Sequence, residues 1–286
     1  MRKGLAVLGF ALAAALGSGN PAVAAEDTSR YIVRFEQEAM KSKNPARDEV
    51  ISHLQQSLRK NMSGLNKVVK SHKNARITPL WIANAFAINA SAAEIKKIAA
   101  MPNVAEVTKS EYKIFIDKDI KKEAVKNNPA VIQWGVQKVR APEVWQQFKI
   151  DGAGVIAGVL DTGIDGKHPA FTGKILAYKD FTPEAAVEPF DGQGHGTHVC
   201  GSVAGSDGVG VAPGARLIVG RVFDTKGGTT QDILLAAMQW MLDPDGIPET
   251  NDGPKLINNS WGSNDSVNKT FWVAVENWVN AGILPV

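Results

Sequence analysis

The chain has 286 residues, of which 44% are apolar and 21% are charged, and its net charge is +3. This composition is sufficient for a packed core and excludes disorder of the whole chain. The chain contains no basic block and no RNA-binding aromatic motif, so we expect no nucleic-acid partner.

The first segment, residues 1–25, has the pattern of an export signal. Arg2 and Lys3 precede an apolar run over residues 4–16, and small residues at 21–25 offer a cleavage site. An uncleaved anchor is the alternative, but the run is short for a membrane span. We therefore predict a bacterial-type signal peptide, a secreted extracellular product and no stable membrane anchor after cleavage.

Residues 29–116 alternate between strand and helix patterns. The predicted elements, in order, are a strand at 31–35, a helix at 48–69 interrupted by Gly64, a strand at 85–90, a helix beginning after Ser91 and a strand at 104–107. Ser91 and Glu94 form a predicted capping box, and residues 112–116 continue extended. This order predicts a small α+β, ferredoxin-like domain with an antiparallel sheet.

Residues 117–130 are predicted to be a linker. Most of this segment, 117–128, is polar and rich in lysine, which favours proteolytic processing in an exported protein. A solvated surface helix is the alternative.

Residues 131–286 show a second pattern, with apolar strands separated by helices. The predicted strands are 155–160, 217–223, one beginning at Leu256 and one beginning at Ile283; the predicted helices are 198–204, one capped by Thr230 that ends at Leu242, and one carrying Trp272, Val275, Trp278 and Val279 on a single face. A nearly continuous apolar strand is typical of a parallel sheet covered on both faces. We therefore predict a doubly wound α/β sheet.

Two motifs point to hydrolytic chemistry. Asp161 follows the first strand of this sheet and is followed by Thr-Gly, which lets the chain turn sharply. His195 lies between Gly194 and Gly196, so the backbone can come close and leave the ring accessible. A buried carboxylate can hold an imidazole in one tautomer, and the imidazole can then act as a general base toward a hydroxyl nucleophile.

Other readings of these residues are weaker. Aspartic proteases need two Asp-Thr-Gly carboxylates, and only one is present. Zinc between His195 and His198 would need a third ligand, so His198 is interpreted as a structural histidine. Cys200, the single cysteine, is interpreted as packing beside the site rather than as a nucleophile. No Gly-x-Ser-x-Gly elbow is present, which argues against an ordinary α/β-hydrolase.

The sequence resembles the subtilisin-like serine proteases. The segments around Asp161, with His168-Pro169, and around His195 are similar to the aspartate and histidine regions of that family, and residues 210–215 match the segment that follows. Residues 29–116 resemble the family's inhibitory I9-type propeptide. The Asn-Asn-Ser-Trp-Gly segment is most similar to the bacillopeptidase F-like branch.

The resemblance implies a secreted serine endopeptidase that is made as a self-inhibited zymogen. Asp161 and His195 would be catalytic, and Ser260, Trp261 and Gly262 would contact protein or peptide substrates. The propeptide would be an intramolecular inhibitor and would block the cleft with residues near 112–116. The calcium loop of many subtilisins is missing after the histidine helix, so no metal or cofactor is expected.

The family's oxyanion asparagine and its Gly-Thr-Ser-Met-Ala nucleophile segment are not found in the 286 residues. We therefore expect a subtilisin-type domain over residues 131–286 that is truncated before these groups and inactive as given. The alternative is a non-catalytic truncated product whose propeptide domain acts as a protease inhibitor or folding chaperone.

Overall fold

The computed structural model describes residues 28–40, 42–63, 76–111, 116, 131–263 and 269–286. The predicted signal peptide, the linker at 117–130 and residues 112–115 lie outside the described residues. Those three assignments therefore stay predictions. None of the described helices combines the length and hydrophobicity that crossing a bilayer requires.

The described residues of the N-terminal domain form a four-stranded antiparallel sheet with two helices. Its elements are β1 (Thr28–Phe35), α1 (Arg47–Ser63), β2 (Thr78–Leu80), a 3-10 turn at Trp81–Ala83, β3 (Ala85–Ser91), α2 (Ala92–Ala99) and β4 (Val104–Lys109). The strand order is β2-β3-β1-β4. The α+β prediction is confirmed, although β2 was not predicted because its three residues include Pro79 and show no alternation.

The predicted capping box at the start of α2 is confirmed. The Ser91 backbone N–H donates to Glu94 Oε2 over 2.7 Å, and the Glu94 N–H donates to Ser91 Oγ over 3.4 Å. These two bonds satisfy two of the N–H groups that a helix start leaves without partners. The signal is purely local, which is why the sequence was enough to predict it.

The C-terminal domain is a five-stranded parallel sheet. Its strands are β5 (Ile156–Asp161), β6 (Ile175–Asp180), β7 (Arg216–Arg221), β8 (Leu256–Asn258) and β9 (Leu284–Pro285), in the order β6-β7-β5-β8-β9. Its helices are α3 (Trp134–Lys138), α4 (Ala141–Phe148), α5 (His195–Ala204), α6 (Gln231–Leu242) and α7 (Trp272–Asn280), with a 3-10 turn at Pro169–Phe171. The α/β prediction is confirmed; β6, α3 and α4 were not predicted.

The buried face of α7 differs from the prediction. Trp278 is fully buried, but Trp272 and Val279 are exposed, so only part of the predicted apolar face meets the core. Positions 272 and 279 are seven residues apart and therefore lie on the same side of a helix. That side faces outward, whereas Ala274 and Trp278 pack inward.

One hydrophobic cluster spans both domains. A single cluster joins N-terminal residues such as Ile51, Leu54 and Ile82 to Leu235 and Met238 of α6. Ile116, near the end of the predicted propeptide, is buried in the same cluster. The N-terminal domain therefore packs on the α6 and α7 face of the sheet, opposite the face covered by α5.

Candidate active site

The predicted carboxylate and imidazole meet at the carboxyl end of β5. Asp161 is the last residue of β5, His195 is the first residue of α5, and His195 Nδ1 lies 2.7 Å from Asp161 Oδ1. Both residues are buried, with exposed fractions of 1% for Asp161 and 7% for His195. The pair matches the geometry that orients an imidazole with Nδ1–H donating to a carboxylate.

The flanking glycines explain how α5 can start so close to the turn after Asp161. An added Cβ at Gly196 would lie well under 3 Å from the Gly163 carbonyl oxygen, so only glycine lets α5 start this close to the turn after Asp161. Gly194 has a φ of 101°, in the region that favours glycine. The sequence predicts an accessible ring, but His195 is buried in the structure.

Thr162 ties the two motifs together. Its backbone N–H donates to Asp161 Oδ1 over 2.7 Å, and its Oγ1 accepts from the Gly196 N–H over 2.8 Å. Asp161 Oδ1 therefore faces two donors, the imidazole and the Thr162 amide. These contacts fix the carboxylate relative to the first turn of α5 without using a solvent-exposed group.

Asp191 organises the start of α5 from the other side. Its carboxylate accepts from the N–H groups of Gly194 and Thr197, each over 2.8 Å, and from the Thr197 hydroxyl over 2.6 Å. Burial raises the pKa of Asp191, but the hydrogen bonds from Thr197, Gly194 and Gln193 outweigh it and leave the pKa lowered. The signal that could have identified Asp191 is an acidic residue shortly before the glycine-framed His195, where the observed helix begins.

Comparison with known proteins agrees with this geometry. Residues 152–286 match the Subtilase family and residues 30–112 match Peptidase inhibitor I9. The chain therefore carries a subtilase domain preceded by an I9 domain. It is 30% identical to bacillopeptidase F of Bacillus subtilis over 93% of this chain and 20% of that protein. It is 29% identical to alkaline serine exoprotease A of Vibrio alginolyticus, over 89% of this chain and 44% of that protein.

Two solved structures share the subtilase fold. Fervidolysin from Fervidobacterium pennivorans aligns with a TM-score of 0.59 at 22% identity, over 93% of this chain and 40% of its own. The epidermin leader peptide processing serine protease of Staphylococcus aureus aligns with a TM-score of 0.62 at 18% identity, over 91% of this chain and 59% of its own. The chain thus spans between a fifth and three fifths of these four proteins.

The predicted substrate-contact residues of the subtilase domain follow β8, next to the Asp161 strand. Trp261 Nε1 donates to the Leu160 carbonyl over 2.9 Å, and the ring packs edge-on against Phe223 and Phe271. Ser260 and Gly262, on either side, are exposed. Trp261 is therefore partly a structural residue that ties the β8 end to the β5 end, whereas its two neighbours face outward.

Arg221 is the main residue of the site that was not predicted from the sequence. It is 0% exposed at the end of β7, and its guanidinium pairs with Asp180 over 2.7 Å and with Glu184 over 2.5 Å. Its Nε donates to the Thr162 carbonyl over 3.1 Å. The signal was a charged residue inside an apolar strand pattern, which indicates a buried, paired charge.

Burial and pairing set the titration of these groups. Hydrogen bonds from Arg221 and Thr225 lower the pKa of Glu184 to about 2. Burial lowers the pKa of Arg221, but hydrogen bonds to Glu184 and Asp180 outweigh it and leave the pKa raised. Burial also raises the pKa of Tyr178, whose hydroxyl donates to the Phe190 carbonyl, to about 12. Glu184 and Arg221, which back the turn after Asp161, are therefore both ionised at neutral pH.

The other two candidates weighed from the sequence, His198 and Cys200, both lie on the helix that begins at His195. His198 lies within this helix as predicted, but it is exposed and lines a groove of about 800 Å³ with His168. Cys200 is fully buried in the core under α5, and burial raises the pKa of its thiol well above the ordinary value. Within the described part of the chain, no group of three or more His, Cys, Asp or Glu side chains is placed to hold a metal ion.

Proposed function

We propose that these residues form the self-inhibited N-terminal part of a secreted subtilisin-type serine endopeptidase. The observation that carries the proposal is the buried contact of 2.7 Å between His195 Nδ1 and Asp161 Oδ1 at the carboxyl end of a parallel strand. The subtilase and I9 matches support it. Several relatives are named as proteases, among them an extracellular serine proteinase of Thermus.

In the proposed reaction Asp161 orients His195 and stabilises its protonated form. Because Nδ1–H donates to Asp161, the neutral imidazole carries its lone pair on Nε2, which takes the proton from the serine hydroxyl as that oxygen attacks the peptide carbonyl. The imidazolium then gives the proton to the leaving amine. We assign the serine and the oxyanion asparagine to sequence outside these 286 residues, since neither family segment is found in them.

The remaining roles complete the proposal. Ser260, Trp261 and Gly262 would contact the substrate, because they follow β8 beside the strand that carries Asp161. The I9 domain would hold the zymogen inactive, a role supported by its packing on α6 and α7 and by the burial of Ile116. Processing within 117–130 would release it.

The first test is the coding DNA beyond Val286. An open frame that encodes an asparagine and a Gly-Thr-Ser segment supports the proposal, whereas a stop codon directly after Val286 contradicts it. The second test is casein cleavage by the complete product and by the 286-residue chain, each with its His195→Ala variant.

We expect cleavage by the complete product, a loss on the order of 10⁶ in kcat with His195→Ala, and none by the 286-residue chain. Cleavage by the 286-residue chain that disappears with His195→Ala would show that the nucleophile is already among these residues.

The second candidate function is inhibition of related proteases by the N-terminal domain alone. It is supported by a separate hydrophobic cluster of that domain, which includes Val33, Phe86 and Ile98. The test is to add residues 29–116 to a subtilisin and measure casein cleavage. An absence of inhibition at micromolar concentration would exclude this function.

A further inference from the structure

An arginine of the N-terminal domain occupies the C-terminal end of α6. Arg47 is the first residue of α1, and its side chain reaches across the domain boundary. Its Nε donates to the Leu242 carbonyl over 2.8 Å, and its Nη2 donates to the Met241 carbonyl over 3.2 Å. The last carbonyls of a helix have no partner within the helix and carry partial negative charge, so they suit a cation.

The loop after α6 closes around this guanidinium. Gly253 is buried, and an added Cβ there would lie well under 3 Å from Arg47 Nη2, so the guanidinium lies directly on a residue without a side chain. The loop keeps its shape through its own carboxylates: Asp252 Oδ2 accepts from the Asp245 N–H over 3.0 Å, and Asp245 Oδ1 accepts from the Ile247 N–H over 2.8 Å.

The charge of the loop after α6 also suits the Arg47 guanidinium. Burial lowers the pKa of Arg47, and Asp252, Asp243 and Asp245 oppose that change. Burial together with Asp245 and Asp252 raises the pKa of Asp243, and Arg47 opposes that change. Asp243 Oδ1 is also buried without a hydrogen-bond partner among the described residues. The loop therefore carries acidic groups that repel one another and that a single cation compensates.

The position of Arg47 in its own helix supports an external partner. A cation at the start of a helix is unfavourable for that helix, and the next two residues, Asp48 and Glu49, have the favourable sign. Arg47 makes both of its described hydrogen bonds to α6, not to α1. Its sequence position is thus explained by the contact between domains.

We propose that the last turn of α6 and the loop 243–253 form a guanidinium-binding site, and that its ligand is the Arg47 side chain of the I9 domain. The site selects arginine because two separate N–H donors meet two successive carbonyls and the planar group fits against Gly253. A lysine ammonium is a single point charge and cannot reproduce this arrangement. The inference concerns docking of the two domains and holds whether or not the chain cleaves peptides.

The test is chemical rescue in the full 286-residue chain, read by hydrogen exchange of the backbone amides of α1 and of the last turn of α6. Arg47→Ala should raise exchange at both places by roughly 10- to 100-fold, the equivalent of losing one hydrogen-bonded charge. Added n-propylguanidinium should restore most of the protection, whereas equal n-propylammonium or sodium chloride should not. Arg59→Ala, an exposed arginine of the same helix, is the matched control and should match wild type.

Two further variants keep the proposal falsifiable if Arg47→Ala fails to fold. Gly253→Ala blocks the site from the other domain, and the φ of Gly253 lies outside the left-handed region, so the substitution adds no backbone strain. It should raise exchange as Arg47→Ala does and should abolish rescue by n-propylguanidinium in the double variant. Arg47→Lys retains the charge and should still lose most of the protection. Wild-type exchange in Arg47→Lys, or rescue by n-propylammonium, would overturn the proposal.

Discussion

Two arginines, one fully buried and one half-buried, have different roles in this molecule. Arg221 is enclosed within the subtilase domain, where its partners Asp180, Glu184 and Thr162 follow neighbouring strands of one sheet. Arg47 is only partly enclosed, and its partners lie nearly 200 residues away, in the other domain. The candidate active site is therefore supported by contacts within its own domain. Docking of the two domains depends instead on contacts between them, such as those of Arg47.

The largest expected effect on stability comes from replacing Arg221. Arg221→Met leaves Asp180, whose side chain is 1% exposed, without its countercharge. Removing one partner of a buried pair costs about 3–5 kcal/mol in the free energy of unfolding, measured by urea denaturation of the full chain. Arg216→Met, an exposed arginine on the same strand, is the control and should change stability by less than about 0.5 kcal/mol. Equal effects of the two variants would contradict the role of Arg221.

The next largest effect on stability tests how closely the His195 motif approaches the Asp161 motif. Gly196→Ala places a Cβ against the Gly163 carbonyl, where backbone cannot yield easily. We expect a loss of about 3 kcal/mol, the upper end of the range for overpacking. Gly135→Ala in α3, where an added Cβ meets nothing within 4 Å, should be neutral or slightly stabilising. A thermal or urea midpoint for Gly196→Ala equal to that of Gly135→Ala would show that the contact is not tight.

A smaller effect appears as pH dependence. The folded-state pKa of Asp191 is lowered, so its contribution to stability is present above the ordinary Asp range and is lost as pH falls through the folded-state pKa. Asp191→Asn should therefore lose about 1.5 kcal/mol near pH 7 and fall less steeply than wild type on acidification. Urea midpoints measured from pH 7 down to pH 3 give both slopes. Parallel slopes would mean that Asp191 is not the titrating group.

The smallest effect comes from an exposed pair in the N-terminal domain. Lys60 and Glu38 form an ion pair whose side chains are 72% and 43% exposed. Lys60→Met should change the unfolding free energy by less than about 1 kcal/mol, because exposed pairs contribute little. Urea denaturation of Lys60→Met and Arg221→Met under the same conditions would sharpen the comparison. Burial of the ion pair, and not its mere presence, should decide how much stability is lost. A loss as large as that of Arg221→Met would contradict this view.

Much of the fold could be predicted because its signals are local. The capping box of Ser91 and Glu94, the apolar strand that ends at Asp161 and the helix that ends at Leu242 all depend on residues within a few positions of one another. The strand β6 and the helices α3 and α4 were missed because their patterns are short and mixed. The faces of α7 were misassigned because spacing alone does not say which side meets the core.

Functional residues and contacts could likewise be predicted only where their signals are local. Asp161 and His195 could be predicted because each lies in a distinctive motif, and the structure brings them to 2.7 Å. Thr230 precedes α6 as expected, but its hydroxyl donates to Asp232 instead of capping the helix. Asp232 accepts from Ser110 and Arg30 of the other domain, and no local pattern indicates partners so far away.

The sequence by itself determined the two fold classes and the motifs that carry the carboxylate and the imidazole, because periodicity and short motifs act over a few residues. Only the tertiary structure decided that Arg221 supports the turn after Asp161 and that Arg47 occupies the end of α6. Both contacts join residues from distant parts of the chain. Their energy comes from burial and pairing of charge, which exist only once the chain has folded.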